Sequence, residues 1–333
     1  MAYDGRLLRL AQERYEADRN AREAERTAER ERIFRRQPRL REIEETLRRT
    51  SSRVLAAALR RGEDPLPEIR RLKTENLSLQ EERKTLLAAL GLTESALEDA
   101  PLCPLCGDTG FRGGEVCRCL KTYYVEEQRK ELSKLLDLGG QSFDTFDAEW
   151  YPARRAAGQT KSAREHMEHV YDTCVEYAHN FGKRPADLLL FGKPGLGKTH
   201  LSAAIAREVS GKGFSVVYDT AGHVFERFET RKFGRDEADR DEAERDAQRV
   251  LDCDLLILDD LGTELLTAFV QSALYRIVNG RLLEKKSTII STNLMPEALG
   301  QRYSEQTASR ILGEYRLLPF VGEDIRALKK RQS

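Results

Sequence analysis

Hydrophobic positions change their spacing about halfway along the chain. In the first part they recur at three- and four-residue intervals, as at Leu40, Ile43 and Leu47, which predicts amphipathic helices. In the second part, near-continuous apolar runs such as 187–191 and 254–258 alternate with helical patterns. Apolar strands that alternate with helices predict a parallel sheet buried on both faces, so we expect an α/β fold there.

The elements of this second part can be placed individually. Strands are expected at 187–191, 214–218, 254–258 and 287–291. Helices are expected at 161–181, 198–210, from about 221, at 264–284 and near 296–313, followed by a C-terminal segment from 314. Residues 139–150 are interpreted as a linker with aromatic anchors.

The first part of the chain, residues 5 to about 95, is dominated by Arg, Glu, Leu and Ala. Pro65 and Pro67 interrupt any helix there, and acidic and basic residues alternate on both sides of the break. This pattern predicts a helical hairpin or a coiled-coil arm. A solvated, partly disordered helical segment without a partner is the alternative.

Composition narrows the class of protein. The 333 residues are enough for two domains with an appendage, and 56 Lys and Arg residues balance 56 Asp and Glu residues. This balance gives no support for general coating of nucleic acid, although a local basic patch is compatible with it. No apolar run is long enough to cross a bilayer, and the N-terminal stretch is not a signal peptide. We therefore expect a cytoplasmic protein with reduced cysteines and no membrane partner.

Residues 192–199 read GKPGLGKT and lie between a predicted strand and a predicted helix. Glycines let the backbone turn tightly, so that N–H groups point at phosphate oxygens. Lys198 adds a positive charge for the β- and γ-phosphates, and Thr199 offers a hydroxyl to Mg²⁺. The sequence therefore predicts an ATP site. Its expected contacts are Gly192, Pro194, Gly195, Leu196, Gly197, Lys198, Thr199 and His200.

A second apolar run ends in two carboxylates, Asp259 and Asp260, 60 residues after Thr199. This distance suits a neighbouring parallel strand. We expect Asp259 to hold Mg²⁺, mostly through water, and Asp260 to act as the base that orients the attacking water. Asn293, at the end of the strand STIISTN, is expected to bond this water or the γ-phosphate. For Asp259 and Asp260, the alternative is a strand that merely ends in a polar turn.

Four cysteines lie within 17 residues, at Cys103, Cys106, Cys117 and Cys119. Four thiolates, with one pair spaced C-x-x-C, can surround a tetrahedral Zn²⁺, and the glycines between them allow the chain to fold back. A redox pair or a disulfide is the alternative. We expect a zinc knuckle, because metal would fold a segment too small for its own core.

The motifs LLLFGKPGLGKTHLSAAIA, DLLILDDLGTE, IISTN, TASRILG and GEDIRALK follow one another from about residue 160 to 333. In this order they resemble the AAA+ superfamily, and within it the replicative-helicase loader family of DnaC and DnaI and its relative, the IstB transposition ATPase. The string CPLCGDTGF…CRCLK also resembles the zinc module of many DnaI-like loaders. The implied fold is an AAA+ P-loop NTPase, preceded by a helical arm and a small zinc knuckle.

The resemblance also implies two catalytic arginines. Arg310 matches the arginine finger, which reaches into the ATP site of a neighbouring subunit, and Arg326 matches the sensor 2 arginine of its own subunit. Alternatively, Arg310 pairs with Glu314 and Arg326 with Asp324. The Asp259–Asp260 pair differs from the Asp-Glu pair of many AAA+ proteins, which suggests a slow, switch-like ATPase stimulated by DNA or a partner.

By the same resemblance, the expected partners are a hexameric replicative helicase, single-stranded DNA and further copies of the chain across the ATP interface. The N-terminal region would bind the helicase. An extra helix before DLLILDD is a candidate DNA contact, and the alternative is an amphipathic helix with its Phe residues in the core. Its basic and aromatic residues are Arg227, Arg231, Lys232, Arg235, Phe225, Phe228 and Phe233.

The expected domains are a helical region at 1–98, a zinc module at 99–122, a helix and linker at 123–159, and the ATPase domain at 160–333. The expected function is ATP-dependent loading of the replicative helicase onto single-stranded DNA. Two other functions stay open: an IstB-like transposition helper that acts with a transposase on duplex DNA, and an ATP-binding adaptor that does not hydrolyse ATP.

Overall fold

The computed structural model describes residues 3–59, 66–136, 140–155, 160–183 and 185–332. The first part of the predicted helix break, with Pro65, and residues 156–159, next to the predicted boundary at 160, lie outside the described residues. The chain divides into two compact units, one of Met1–Gln12 with Arg118–Ser333 and one of Glu13–Cys117. Over the described residues, no helix combines the length and the apolar character needed to cross a bilayer.

The N-terminal arm consists of α1 (Gly5–Arg36), α2 (Pro38–Leu59) and α3 (Leu66–Ala89). α2 and α3 pack against each other, which confirms the predicted helical arm. Ion pairs join Arg39 with Glu82 and Arg53 with Glu75, so the two helices are antiparallel. A small core contains Ile33, Phe34, Leu40, Leu87 and Leu97. Because exposed ion pairs contribute little stability, we attribute the packing of these helices mainly to buried apolar side chains such as these.

The cysteine segment follows the arm and contains a short antiparallel hairpin, β1 (Phe111–Arg112) with β2 (Glu115–Val116). Gly113 and Gly114 form its two-residue turn, and both have positive φ, at 58° and 86°. Two such residues define the tight turn that matches the twist of paired strands, and only glycine adopts it without strain.

The unit that contains residues 118–333 is built around one five-stranded parallel sheet. Its strands are β3 (Leu188–Phe191), β4 (Val216–Thr220), β5 (Leu255–Leu261), β6 (Ser287–Thr292) and β7 (Arg316–Pro319), in the order β4-β5-β6-β3-β7. The helices are α4 (Arg118–Leu136), α5 (Ala163–His179), α6 (Lys198–Gly211), α7 (Ala221–Phe233), α8 (Glu237–Asp252), α9 (Ala268–Leu283), α10 (Ala298–Arg302), α11 (Glu305–Glu314) and α12 (Ile325–Gln332).

Side chains alternate between the two faces of this sheet, and both faces are covered. Leu188 and Leu190 belong to one buried cluster, whereas Leu189 belongs to another on the opposite face. The apolar runs are continuous because every position of a strand that is covered on both faces is buried. The predicted α/β class with a parallel sheet is thereby confirmed.

Strand order departs from the expectation in one respect. β6 lies between β3 and β5, so the strand that carries Asp259 is not the direct neighbour of β3. The structure also adds β7 beside β3 within the C-terminal segment, where no strand was predicted. β7 has four residues and stands at the edge of the sheet, with Leu317 exposed, so its apolar signal is weak.

Local chemistry sets several helix boundaries. Ser162 and Glu165 form a reciprocal capping box at the start of α5. The Thr267 side chain accepts a bond from Val270 N, so α9 begins at Ala268 and not at the predicted 264. Gly234 ends α7, and two residues later Asp236 caps α8. The single helix expected from about 221 is therefore a pair of helices.

Candidate functional site

Two glycines in the loop of residues 192–199, called here the glycine loop, are required by close packing. The loop joins β3 to the first turn of α6. A Cβ on Gly192 would lie 2.4 Å from the Phe320 carbonyl oxygen, and one on Gly195 would lie 2.0 Å from Asp324 Oδ1. Both residues also have positive φ. Any larger side chain would therefore displace the C-terminal segment from the loop.

Lys198 links the glycine loop to the end of β6. The residue is 5% exposed, and its ammonium donates to Gly192 O at 2.7 Å, to Lys193 O at 2.8 Å and to Asn293 Oδ1 at 2.8 Å. Burial lowers the pKa of Lys198, while the charges of Asp260 and Asp259 act against this change. The three donors of the ammonium each have an acceptor, which fixes its position.

Asp259 is buried at the carboxyl end of β5. Tyr218 Oη donates to its Oδ2 at 2.7 Å, and Ser291 Oγ donates to its Oδ1. Each carboxylate oxygen keeps a second lone pair for a water molecule. The arrangement is compatible with the predicted contact to Mg²⁺ through water. Tyr218 and Ser291, which hold this carboxylate in place, were not identified from the sequence.

Asp260 occupies a β-bulge, because the pairing of β5 with β6 shifts register between Leu258 and Leu261. Its φ is 53°, a left-handed conformation that Asp adopts more readily than most residues. Burial raises the pKa of Asp260, as does the neighbouring charge of Asp259. The bulge turns Asp260 towards the cavity beside the glycine loop, whereas Asp259 is not among the residues that line it.

This nucleotide cavity has a volume of about 300 Å³, at the lower end of the usual range for ligand sites. It brings together side chains from four separate parts of the sequence, Lys198 with Asp260, Asn293 and Arg326. Of the predicted contacts, Pro194, Gly195, Leu196, Gly197, Thr199 and His200 also line it, and Gly192 does not. The carboxyl ends of neighbouring parallel strands form such a site.

One wall of the nucleotide cavity comes from the segment interpreted above as a linker. Phe146, Trp150 and Tyr151 line it, and Tyr151 donates its hydroxyl to Leu196 O at 2.8 Å. The ammonium of Lys329 in α12 lies 5.4 Å from the ring centre of Trp150. The aromatic residues of QSFDTFDAEWY were the only sequence signal for this wall, and they did not indicate which surface they would meet.

The remaining predicted site residues, Arg326, His200 and Arg310, differ in how close they lie to the nucleotide cavity. Arg326 lines the cavity on α12, and the backbone N–H of Ile325 bonds to Gly195 O at 3.0 Å. His200 Nε2 lies 2.9 Å from Ser142 O, and burial lowers the pKa of this imidazole. Arg310 is exposed on α11, outside the cavity lining, and has no ion pair with any described residue. The structure thus shows no Arg310–Glu314 pair.

The cysteine loop, residues 103–119, brings four sulfurs together. Their Sγ atoms all lie within 4.8 Å of one another, and Cys103 Sγ is 3.7 Å from Cys117 Sγ. Two sulfurs on one tetrahedral Zn²⁺, each at about 2.3 Å, are about 3.8 Å apart. The four thiolates therefore fit zinc. Asp108 orders the loop by accepting bonds from Leu102 N at 3.0 Å and Cys103 N at 2.8 Å.

The helix pair α7–α8 separates the basic and aromatic residues expected to contact DNA. Phe225 and Phe228 are buried in the core. Arg227 pairs with Asp246 and Arg231 with Glu244, so two of the arginines are bound within the pair of helices. Exposed residues remain at the tip, where the Lys232 ammonium lies 5.2 Å from the Phe233 ring and 5.5 Å from the Phe269 ring. Arg235 is exposed beside them.

Comparison with known proteins gives the class. Residues 176–333 match the family described as "IstB-like ATP binding protein". The glycine loop at the end of the parallel sheet agrees with this match, and together they define an ATP-binding protein. The chain is 30% identical over 167 residues to the replicative helicase loader DnaC of Buchnera aphidicola subsp. Baizongia pistaciae, an alignment that covers 48% of this chain and 67% of that protein. The chain belongs to the family of DnaC-type replicative helicase loaders.

Other similarities are weaker. DnaC of Escherichia coli K12 is 27% identical over 136 residues, which cover 41% of this chain and 54% of that protein. A crystal structure of the DnaC helicase loader has a TM-score of 0.44 at 24% identity and covers 56% of this chain and 99% of that one. A DnaI structure has a TM-score of 0.42 at 21% identity, with 58% and 93% covered. These TM-scores are low, so the family assignment rests on the sequence relationships.

Proposed function

We propose that this protein is an ATP-dependent loader that places a hexameric replicative helicase on single-stranded DNA in the cytoplasm, with the nucleotide state as the switch. The observation that carries the proposal is the convergence of Lys198, Asp260, Asn293 and Arg326 on one cavity, in a chain of the DnaC family. The AAA+ part supplies the switch, and the helical arm supplies a surface for a protein partner.

Different residues of the site are proposed to contact the phosphates, the Mg²⁺ ion and the base of the nucleotide. The N–H groups of the glycine loop and Lys198 hold the phosphates, at the positive end of α6. Thr199 and Asp259 hold Mg²⁺, which neutralises charge on the phosphates when it is bound. The wall of Phe146 and Trp150 offers apolar surface to the base. The buried start of α6 excludes water from one side of the site.

Hydrolysis is proposed to need a second copy of the chain. Asp260 orients the attacking water, because the bulge directs its carboxylate into the cavity, and Asn293 holds this water from the end of β6. Arg310 is exposed and unpaired among the described residues, as expected of a side chain that acts in the site of a neighbouring subunit. Arg326 neutralises phosphate charge from within its own subunit. The short Asp260 side chain favours slow turnover, stimulated by DNA or the helicase.

Single-stranded DNA is proposed to contact the tip of α7. Lys232 and Arg235 can track a phosphate backbone, and the exposed ring of Phe233 can stack on a base. Base stacking on an aromatic side chain contributes about 1–3 kcal/mol per base. The arginines nearer the base of α7 are held by α8 and are excluded from this role.

The N-terminal region is proposed to bind the helicase. Cys103, Cys106, Cys117 and Cys119 hold a structural Zn²⁺, so that the cysteine loop presents a fixed surface to the partner. We retain 1–98 as the helical region, 99–122 as the zinc module, 123–159 as the connection and 160–333 as the ATPase domain in this division of functions.

Co-purification of the full chain with the replicative helicase of the same cell tests the proposal. A stable complex is expected in ATP and a weaker one in ADP, and Lys198→Ala should behave as the wild type does in ADP. Hydrogen exchange of the complex should show protection within residues 13–117. Absence of a complex in either nucleotide would contradict the loader function.

A transposition helper is the second candidate, because residues 176–333 match the IstB-like family. That function requires preference for duplex over single-stranded DNA and capture of a transposase. A third candidate, an adaptor that binds ATP without hydrolysing it, is excluded if turnover is measurable and is lost in Lys198→Ala and Arg310→Ala.

A further inference from the structure

Glu264 is a buried carboxylate that the proposed function leaves unused. It follows β5 in the sequence Asp-Asp-Leu-Gly-Thr-Glu, and its side chain is only 4% exposed. It does not line the nucleotide cavity. A buried charge is costly unless it is paired and hydrogen-bonded, so its partners indicate what it holds in place.

The two oxygens of Glu264 bind two different parts of the ATPase unit. Oε2 accepts the backbone N–H of Gly262 at 2.9 Å. Oε1 accepts the Tyr303 hydroxyl and lies 3.3 Å from Arg302 Nη2. The same Arg302 nitrogen donates to Glu264 O at 2.7 Å. The carboxylate therefore ties the loop after β5 to the C-terminal end of α10.

At the β5 end, Glu264 lies four residues after Asp260, the carboxylate proposed to orient the attacking water. Asp260 O accepts bonds from Thr263 N at 3.3 Å and from Thr263 Oγ1 at 2.9 Å. Glu264 is the next residue and closes the same turn through Gly262. The backbone of Asp260 and the side chain of Glu264 are thus parts of one tight, internally bonded turn.

On the other side, the connection reaches the helix that carries Arg310. Tyr303 is 1% exposed, and Ser304, the next residue, caps α11 by accepting Thr307 N at 3.1 Å. α11 buries Ala308 and Ile311 in the core, so its rotation is fixed. Arg310 is exposed on this helix, one residue before Ile311.

We propose that Glu264 is a positioning residue that couples the Asp260 turn of one ATP site to the Arg310 that the same subunit delivers to the next site. The inference rests on the proposed hydrolysis across a subunit interface. A carboxylate suits this task because it accepts bonds from both sides at once. Through Glu264, a displacement of Asp260 in one site is transmitted to the arginine that completes the neighbouring site.

Glu264→Gln tests the coupling, because an amide has one acceptor oxygen and must present N–H donors to either Gly262 N–H or Arg302. We expect turnover to fall about tenfold, which is about 1.4 kcal/mol in the barrier. ATP affinity, read from the fluorescence of Trp150, should change less than about twofold. Tyr303→Phe removes one bond, keeps the charge and should show a smaller loss of the same kind. Glu297→Gln, at the exposed start of α10, is the control and should be neutral.

A double-mutant cycle separates coupling from a general structural effect. If Glu264 acts through Arg310, Glu264→Gln/Arg310→Ala should turn over no more slowly than Arg310→Ala alone. If the two losses add in full, or if Glu264→Gln leaves turnover unchanged, the inference fails and the proposed function stands. If Arg310→Ala alone has no effect, hydrolysis across an interface is wrong and the inference fails with it.

Discussion

The glycine loop and the cysteine loop differ in what fixes the shape of their backbone. Both are short, and both contain glycines with positive φ. The glycine loop joins α6 to a sheet that is buried on both faces, so we expect its shape to be independent of its ligand. The cysteine loop contains two strands of two residues each and brings four sulfurs together. We expect the glycine loop to be folded before it binds its ligand, and the cysteine loop to fold when it binds Zn²⁺.

Loss of zinc is the largest expected effect and should be confined to one loop. In Cys103→Ser/Cys117→Ser, zinc content should fall from one per chain to near zero, because apparent binding free energies of about 10–16 kcal/mol come from the complete ligand set. Amide exchange across 103–119 should become fast. The response of Trp150 fluorescence to ATP should persist, and its loss would show that the two loops are not independent.

The arginine proposed to act across the interface should give the next largest effect. Arg310→Ala should lower turnover by up to about 10³-fold, since an arginine finger is worth about 10³–10⁵ in rate. ATP affinity and zinc content should be unchanged, because Arg310 lies outside both sites. Arg276→Ala, an exposed arginine on α9, provides the control. Equal losses in the two variants would contradict the role of Arg310.

Lys198→Ala tests the preformed loop itself. Charge-assisted hydrogen bonds contribute about 1.5–3 kcal/mol, so we expect ATP affinity to fall about 10- to 150-fold in a Trp150 titration. Zinc content should stay at the wild-type value. This is the converse of the cysteine variant, which should lose zinc and keep its response to ATP. Lys193→Ala, exposed on the same loop, should change affinity little. A similar loss in both variants would indicate a general electrostatic effect.

The smallest expected effect concerns the core that supports the glycine loop. Burial raises the pKa of Asp187, just before β3, to about 6, against the bond from Thr288 N. Because the folded state raises this pKa, the protonated Asp187 carboxyl favours folding. Its contribution to the free energy of unfolding is fully present below about pH 4 and is lost as the pH rises through about 6.

Asp187→Asn should therefore be more stable than the wild type at pH 7.5 by roughly 1–3 kcal/mol, because about 1.4 kcal/mol corresponds to each pKa unit. The difference should vanish towards pH 4. Trp150 fluorescence is the suitable probe of unfolding, because Trp150 lies in the same unit as Asp187. Any Zn²⁺ bound to the cysteine loop would be released at low pH. A difference that does not depend on pH would contradict this assignment.

The sequence was sufficient to predict those parts of the candidate site that consist of residues close together in the chain. The glycine loop, the acidic end of β5 and the cysteine spacing are short-range patterns, and their elements lie where they were predicted. The position of β6 between β3 and β5 could not be read, since strand order depends on distant pairing. The aromatic wall and Glu264 were missed because ordinary residue types acquire those roles only through the path of the chain.

The bulge at Asp260 has a consequence for which substitutions the chain tolerates. With φ at 53°, position 260 accepts Asn or Gly readily and resists β-branched residues, whatever chemistry is required there. In a complete scan of substitutions, backbone and charge would therefore both restrict this position. Asn and Gly keep the backbone preference while removing the charge, whereas Val would disturb both. If few variants are tolerated at position 260, the reason is therefore twofold: the backbone conformation excludes some residues, and the need for a carboxylate excludes others.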